Sequence, residues 1–222
     1  MIRTQALCHR YPGGPALSFD DVEVPQGGVL LLRGRSGAGK STWLALAAGL
    51  LGVQSGELMV AGQSLGALTR SGLDAWRAHH LGFLPQKLHL SPALSVHDNL
   101  ALAYFAAGLP TNRSAIGEAL GRLGVADLTR RKPSQLSSGQ AQRVALARCL
   151  LLRPRVILAD EPTASLDDEA AANALALLRD GARESDATLV IATHDARVPV
   201  AFPHAQVHAI GAARGFGVAA DA

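Results

Sequence analysis

The chain is 222 residues long, 48% apolar and only 4% aromatic, which fits one sizeable α/β core with a subdomain and excludes two full domains. Its formal charge of +3 comes with scattered rather than massed arginines, so charge gives no ground for nucleic-acid binding. Cys8 and Cys149 are too few for a disulfide framework and point to a reducing compartment.

The first residues, Met1-Ile2-Arg3-Thr4-Gln5, lack the apolar run of a signal peptide, and the longest apolar windows, Trp43 to Val53 and Ala101 to Leu109, are too short to span a bilayer. Any membrane spans must come from another chain. Residues 2 to 8 and the alternating stretch Leu17 to Val24 read as strands of a small antiparallel layer, parted by the turn Pro12-Gly13-Gly14-Pro15. Four short runs without alternation, Val29 to Leu32, Leu81 to Leu84, Val156 to Ala159 and Thr188 to Ala192, fit strands buried on both faces of a parallel sheet. Helical patterns separate them. From Lys87 to about Leu152 Ala, Leu and Arg dominate and no strand pattern occurs, predicting a helical subdomain inserted at about 87–152. The Ala-rich run Asp168 to Arg183 predicts an amphipathic scaffold helix. His79, His80, His89, His97, His204 and His208 lack metal-site spacing and read as structural or surface residues.

Two motifs carry phosphate chemistry. Gly34-Arg35-Ser36-Gly37-Ala38-Gly39-Lys40-Ser41-Thr42 satisfies G-x-x-x-x-G-K-[ST], follows an apolar strand and opens a helical run at Trp43. The glycines let backbone N–H groups curl around a β-phosphate, the helix N-terminus adds positive charge, and Lys40 reaches the β- and γ-phosphates. Ser41 is the expected Mg²⁺ ligand and Thr42 the contact to the α-phosphate. Val156-Ile157-Leu158-Ala159-Asp160-Glu161 is an apolar strand ending in two carboxylates. Alone it is commonly a solvated cap; after a phosphate loop, Asp160 becomes a candidate Mg²⁺ residue and Glu161 a general base for the attacking water.

Between these motifs stands Leu136-Ser137-Ser138-Gly139-Gln140, opening a helix that continues as Gln142 to Arg148. This segment resembles the signature motif of the ABC (ATP-binding cassette) ATPases, and the resemblance extends over nearly the whole chain. It implies a P-loop NTPase (RecA-like) parallel-sheet core with an N-terminal antiparallel β layer and an inserted α-helical subdomain, all within one nucleotide-binding domain spanning 1–222. It further implies that Tyr11 stacks on adenine and that Gln86 is the Q-loop glutamine, touching Mg²⁺ or the attacking water. Ser165-Leu166-Asp167 resembles the D-loop that crosses to the opposite subunit, and His194 the switch residue at the γ-phosphate. Ser138 departs from the family pattern, standing where a first glycine is usual; being small, it is expected to be tolerated. Ser137, Ser138, Gly139 and Gln140 are then expected at the nucleotide of a partner subunit, with Cys149 packed inside the helix.

The resemblance implies hydrolysis of ATP with Mg²⁺ by a head-to-tail dimer, expected to be a homodimer. Three readings compete for its use. One is the ATPase subunit of a bacterial ABC transporter at the cytoplasmic face of the inner membrane, driving a separate integral-membrane permease; Leu81 to Leu100 looks most like the lipoprotein-releasing and macrolide-export group, with His97-Asp98-Asn99 where Leu-Glu-Asn is typical. The second is a mechanotransducing ATPase of the cell-division type. A soluble, non-transport ABC ATPase of DNA repair or translation is the third, opposed by the single phosphate loop, the lack of a coiled-coil insertion and the lack of basic tails. With the last apolar strand close to Ala222, no appended regulatory domain is expected.

Overall fold

The computed structural model describes residues 1–164 and 166–211. Strand β1 (Ile2–Arg10) opens the chain and organises an antiparallel layer. The alternating stretch expected after it splits in two, β2 (Ala16–Ser18) and β3 (Val22–Val24), which pair with opposite ends of β1. The cause is a bulge in β1, where Ala6 takes a φ of 46° and the register shifts between Gln5 and Cys8. The Asp21 carboxylate accepts from the Ala6 N–H (2.6 Å) and Thr4 Oγ1 from the Val22 N–H (2.9 Å), so residues 19–21 satisfy the bulge rather than extend the ladder.

The chain then runs through β4 (Val29–Arg33), α1 (Lys40–Ala47), β5 (Ser55–Val60), β6 (Gln63–Ser64), α2 (Arg70–His80) and β7 (Leu81–Leu84). Three helices follow without a strand, α3 (Val96–Ala106), α4 (Arg113–Arg122) and α5 (Ser138–Leu150), before β8 (Val156–Asp160), α6 (Asp168–Glu184), β9 (Thr188–Ala192), α7 (Arg197–Ala201) and β10 (Gln206–Ala209). Five helices start at a side-chain cap: Thr69, Ser95, Asn112, Ser137 and Asp167 each accept from the backbone N–H three residues on. β5 and β6 complete the antiparallel layer, in the order β2-β1-β5-β6 with β3 beside β1. The second sheet is parallel, in the order β10-β4-β9-β8-β7.

The central strands of the parallel sheet divide their side chains between two cores. Leu30, Leu32, Val156, Leu158, Val190 and Ala192 face a core shared with α1 and the antiparallel layer, around the fully buried Trp43. Leu31, Ile157, Ala159, Leu189 and Ile191 face the other core, built with α5, α6, α7 and the inserted helices. The inserted helices bring Leu100, Tyr104, Ile116 and Leu120 into that second core, which continues through Val144 and Leu146 of α5 to the sheet. Gly82 in β7 permits this close packing, since a Cβ there would stand 2.9 Å from Cys149 Sγ and 2.9 Å from Pro154 Cγ.

Candidate active site

Parallel register places the chemistry. Leu32 and Asp160 both pair with Ala192, so β4, β8 and β9 end at one level, and what leaves their carboxyl ends converges there. From β4 comes the phosphate loop, from β8 the Asp160-Glu161 pair, and from β9 Thr193 and His194; Gln86 follows β7. Most of the phosphate loop, with Gln86, Asp160, Glu161 and His194, lines a cleft of about 620 Å³ that also holds Tyr11 and Leu17.

The loop can turn because Gly37 and Gly39 take φ values of 77° and 106°. Gly39 is the left-handed residue immediately before α1, and a Cβ there would stand 3.3 Å from Phe19 Cε1. Arg35, Ser36, Gly37, Gly39, Lys40, Ser41 and Thr42 face the cleft. Gly34 and Ala38 do not: Gly34 lies against the Ile210 carbonyl, where a side chain would clash, and the Ala38 methyl packs on Gly211 and the apolar core. These two positions shape the loop from beneath.

Lys40 is 8% exposed, and its ammonium donates to the Gly34 carbonyl (2.9 Å) and the Arg35 carbonyl (3.3 Å), 3.9 Å from Glu161 Oε1. Burial pushes the Asp160 carboxyl above its ordinary range, opposed by a hydrogen bond from Ser41; the Glu161 charge pushes it up further and the Lys40 charge pulls it down. Glu161 has a φ of 49°, rare for a residue with a side chain. Its backbone is held by its N–H donating to the Ala192 carbonyl (2.8 Å). Its carboxylate accepts from Thr193 Oγ1 (3.1 Å) and from the His194 backbone N–H (3.4 Å), and meets His194 Nδ1 at 2.8 Å. Across the cleft, Tyr11 and Thr42 share a hydroxyl–hydroxyl hydrogen bond of 3.2 Å, and the Tyr11 ring stands edge-on to His9.

Ser137, Ser138, Gly139 and Gln140 do not line this cleft. Ser137 caps α5, accepting from the Gln140 N–H (3.3 Å), while Gln140 Oε1 accepts from the Ser137 N–H (3.0 Å), a reciprocal capping box that leaves Ser137 and Ser138 exposed. Farther along α5 the helix is tied to both acidic and glutamine loops. Gln142 donates to the Pro162 carbonyl, and Arg148 donates to the carbonyls of Leu88 (2.7 Å) and His89 (2.9 Å). Cys149 is buried, and that burial pushes its thiol up to about 12. Of the expected D-loop, Leu166 and Asp167 lead into α6, Asp167 capping it, and Ser165 lies outside the described residues.

Over residues 17–164 the chain matches the model of the ABC transporter ATPases. The chain belongs to the ABC transporter family. It is an ATP-binding cassette of the hydrolysing kind, and its fold is the cassette fold of parallel sheet, antiparallel N-terminal layer and helices. It is 39% identical over 203 residues to the macrolide export ATP-binding/permease protein MacB of Rhodopseudomonas palustris, a match covering 89% of this chain and 31% of that protein. The methionine import ATP-binding protein MetN 3 of Pseudomonas fluorescens is 41% identical, covering 89% and 62%. The lipoprotein-releasing system ATP-binding protein LolD of Bordetella avium is 40% identical, covering 87% of each chain. The chain thus spans about a third of the first of these relatives and less than two thirds of the second. The solved dimeric structure of the bacterial cassette MJ0796 superposes with a TM-score of 0.85 at 28% identity, covering 95% of both chains. A post-hydrolysis dimer of MJ0796, bound to ADP and Pi, gives 0.81 at 29% identity, covering 89% and 90%.

Sequence motifs missed several residues of this ABC site. Thr193, Thr163, Asp195 and Arg197 hold Glu161 and the segment behind it, and only their adjacency to Glu161 and His194 in the chain could have signalled them.

Proposed function

We propose that this chain is the ATPase subunit of a bacterial ABC transporter, working as a head-to-tail dimer on the cytoplasmic face of the inner membrane and driving a separate permease in export, lipoprotein release or mechanotransduction. In this reading residues 1–222 form one nucleotide-binding domain with a helical subdomain at about 87–152. The observation that carries it is the division of the site. The phosphate loop, Gln86, Asp160, Glu161 and His194 share one cleft, and the signature residues 137–140 stand on a different surface. A second copy brings them together.

Each residue then has a role that its position supports. Tyr11 takes the adenine, and the backbone and side chains of Arg35 to Thr42 take the phosphates, shaped by Gly34 and Ala38. Lys40 and the N-terminus of α1 neutralise charge that grows on the phosphoryl oxygens. Glu161 Oε accepts the proton of the attacking water, and His194 and Thr193 orient that carboxylate and spread its charge. Ser41, Gln86 and Asp160 offer a hydroxyl, an amide oxygen and a carboxylate, an all-oxygen set that suits a hard cation. Ser41 and Asp160 line the same cleft, on the side of the phosphate loop and of the β8 end. Mg²⁺ held there supplies neutralisation of the β- and γ-phosphate oxygens. Ser137 and Gly139 reach the partner's γ-phosphate.

The permease reading draws on a second groove. A groove of about 500 Å³ between the ends of α1, α2, β7 and α3 carries Leu50, Phe83 and Ala106, and on α3 Phe105 is 84% exposed. Exposed apolar side chains at a groove suit a protein partner. Among the described residues no helix is long and apolar enough to cross a membrane.

Glu161→Gln tests the reading. It should lower kcat about 10²- to 10⁴-fold while nucleotide binding persists, and should trap an ATP-bound dimer visible by sedimentation. Wild-type turnover in this variant removes Glu161 from the mechanism.

A further inference from the structure

Behind the Glu161-His194 pair lies a second network that the nucleotide cleft does not include. Its centre is Arg197, the first residue of α7. Its Nε donates to both carboxylate oxygens of Asp195 (3.1 and 2.9 Å), and Nη2 donates to Asp195 Oδ2 (2.7 Å). The other side of the guanidinium turns to the segment after Glu161. Nη1 donates to Asp168 Oδ1 (2.8 Å) and the Leu166 carbonyl (3.3 Å), and Nη2 to the Thr163 carbonyl at 3.5 Å. Thr163 Oγ1 in turn donates to Asp195 Oδ2 at 2.7 Å.

This arrangement is a bridge between two loops that have separate tasks. Asp195 follows His194, and the Asp195 N–H donates to Thr193 Oγ1 (3.0 Å), which itself donates to Glu161. Leu166 and Asp167 belong to the stretch that, in the proposed dimer, faces the other copy. One planar fork with five N–H donors holds both. The Arg197 hydrogen bonds, with that of Thr163, keep the Asp195 carboxyl far below the usual carboxylate range, so the pair stays charged at any working pH.

We infer that Arg197 is a positioning residue for ATP hydrolysis, fixing Thr163, Leu166 and Asp168 to the His194 loop so that contact with the second subunit sets the geometry of Glu161. The inference rests on the proposed dimeric cassette. A lysine cannot replace the fork: a single ammonium keeps the pairing with Asp195 but cannot also reach the Leu166 carbonyl and Asp168.

The test uses the whole chain with Arg197→Lys and Asp168→Asn, the second altering a carboxylate that is 96% exposed and holds no core contact. For each, steady-state ATPase, binding of a fluorescent ATP analogue and the melting temperature are measured. In Arg197→Lys kcat should fall about 10- to 100-fold, the range expected when a reacting group is displaced by an ångström or less, with analogue affinity and melting temperature unchanged. Asp168→Asn should lower kcat in the same sense by a smaller factor. Wild-type kcat in both variants overturns the assignment, as does a rate loss matched by lost affinity or lost folded protein. Sedimentation of Glu161→Gln with ATP runs in parallel. If that variant dimerises and Arg197→Lys is fully active, the role of Arg197 alone fails; if it stays monomeric, the dimeric reading fails and the role of Arg197 with it.

Discussion

Glu161 shows how much local structure one reacting side chain requires. A left-handed backbone for a glutamate costs on the order of 1 kcal/mol. Here it is held by the N–H bond to Ala192 and by carboxylate bonds to Thr193 and His194. The same conformation turns the carboxylate from the strand end into the cleft beside Lys40. Ser138 is a contrasting case. It is exposed at the first position of α5, and a Cβ added at the neighbouring Gly139 would meet nothing within 4 Å. A glycine at this helical position should cost roughly 0.5–1 kcal/mol from backbone entropy alone. Ser138→Gly is therefore expected to melt a few degrees lower, roughly 1–4 °C for a chain of this size, with ATPase activity within about threefold of wild type; calorimetry and steady-state kinetics check both. Activity higher by orders of magnitude would mean that the serine impairs the signature. At this scale the sequence was readable wherever a motif spans consecutive residues, as at 34–42. It was unreadable at Arg197 and Gln142, whose partners Asp168 and the Pro162 carbonyl are brought to them by folding.

Elements were legible to the extent that their hydrophobic period was clean. The strands β4, β8 and β9 are apolar runs inside the sheet and were legible in the sequence, as was α6 from its amphipathic repeat; β7, also an apolar run, proves to be an edge strand with Leu81 and Phe83 only partly buried. β10 was not, since Gln206-Val207-His208-Ala209 is an edge strand with three exposed residues and one buried histidine. β5 begins with three exposed residues and hides the same way. The histidine in β10 has a consequence for the sheet edge. His208 is 9% exposed, its Nε2 has no partner among the described residues, and burial pulls its pKa below the ordinary 6.5, opposed only in part by Asp20. The folded state therefore binds this proton less readily than the unfolded chain. Its contribution is fully present above the unfolded value of about 6.5 and is lost as pH falls through the lower folded value. His208→Leu should narrow the drop in urea midpoint between pH 7.5 and 5.5; His80, also lowered chiefly by burial, retains part of that drop. An unchanged pH dependence would show that the edge strand opens before the imidazole titrates.

For the molecule as a whole, the separation of signature and phosphate cleft followed from the family resemblance, which sends Ser137 to Gln140 to a partner's nucleotide, and not from spacing along the chain. If two copies close on two nucleotides, stability becomes a function of both ligand and protein concentration. ATP at a hundred times its Kd stabilises a single-site protein by about 2.7 kcal/mol through mass action, and dimerisation adds a dependence on chain concentration. In Glu161→Gln with ATP, raising protein concentration tenfold should raise the melting temperature; without ATP it should not. Differential scanning fluorimetry at two concentrations decides this, and a concentration-independent melt with ATP would favour a monomeric site.

The parallel sheet that separates the two cores imposes a parity rule on the chain. Odd and even positions of β8 and β9 belong to different cores, so deletion of one residue within either strand would exchange the side chains of both at once. It would also shift the residue that ends the strand, moving Asp160 or Ala192 off the common level where the loops converge. Length changes in this protein are accordingly confined to the connections, and within the sheet only substitution is open to it.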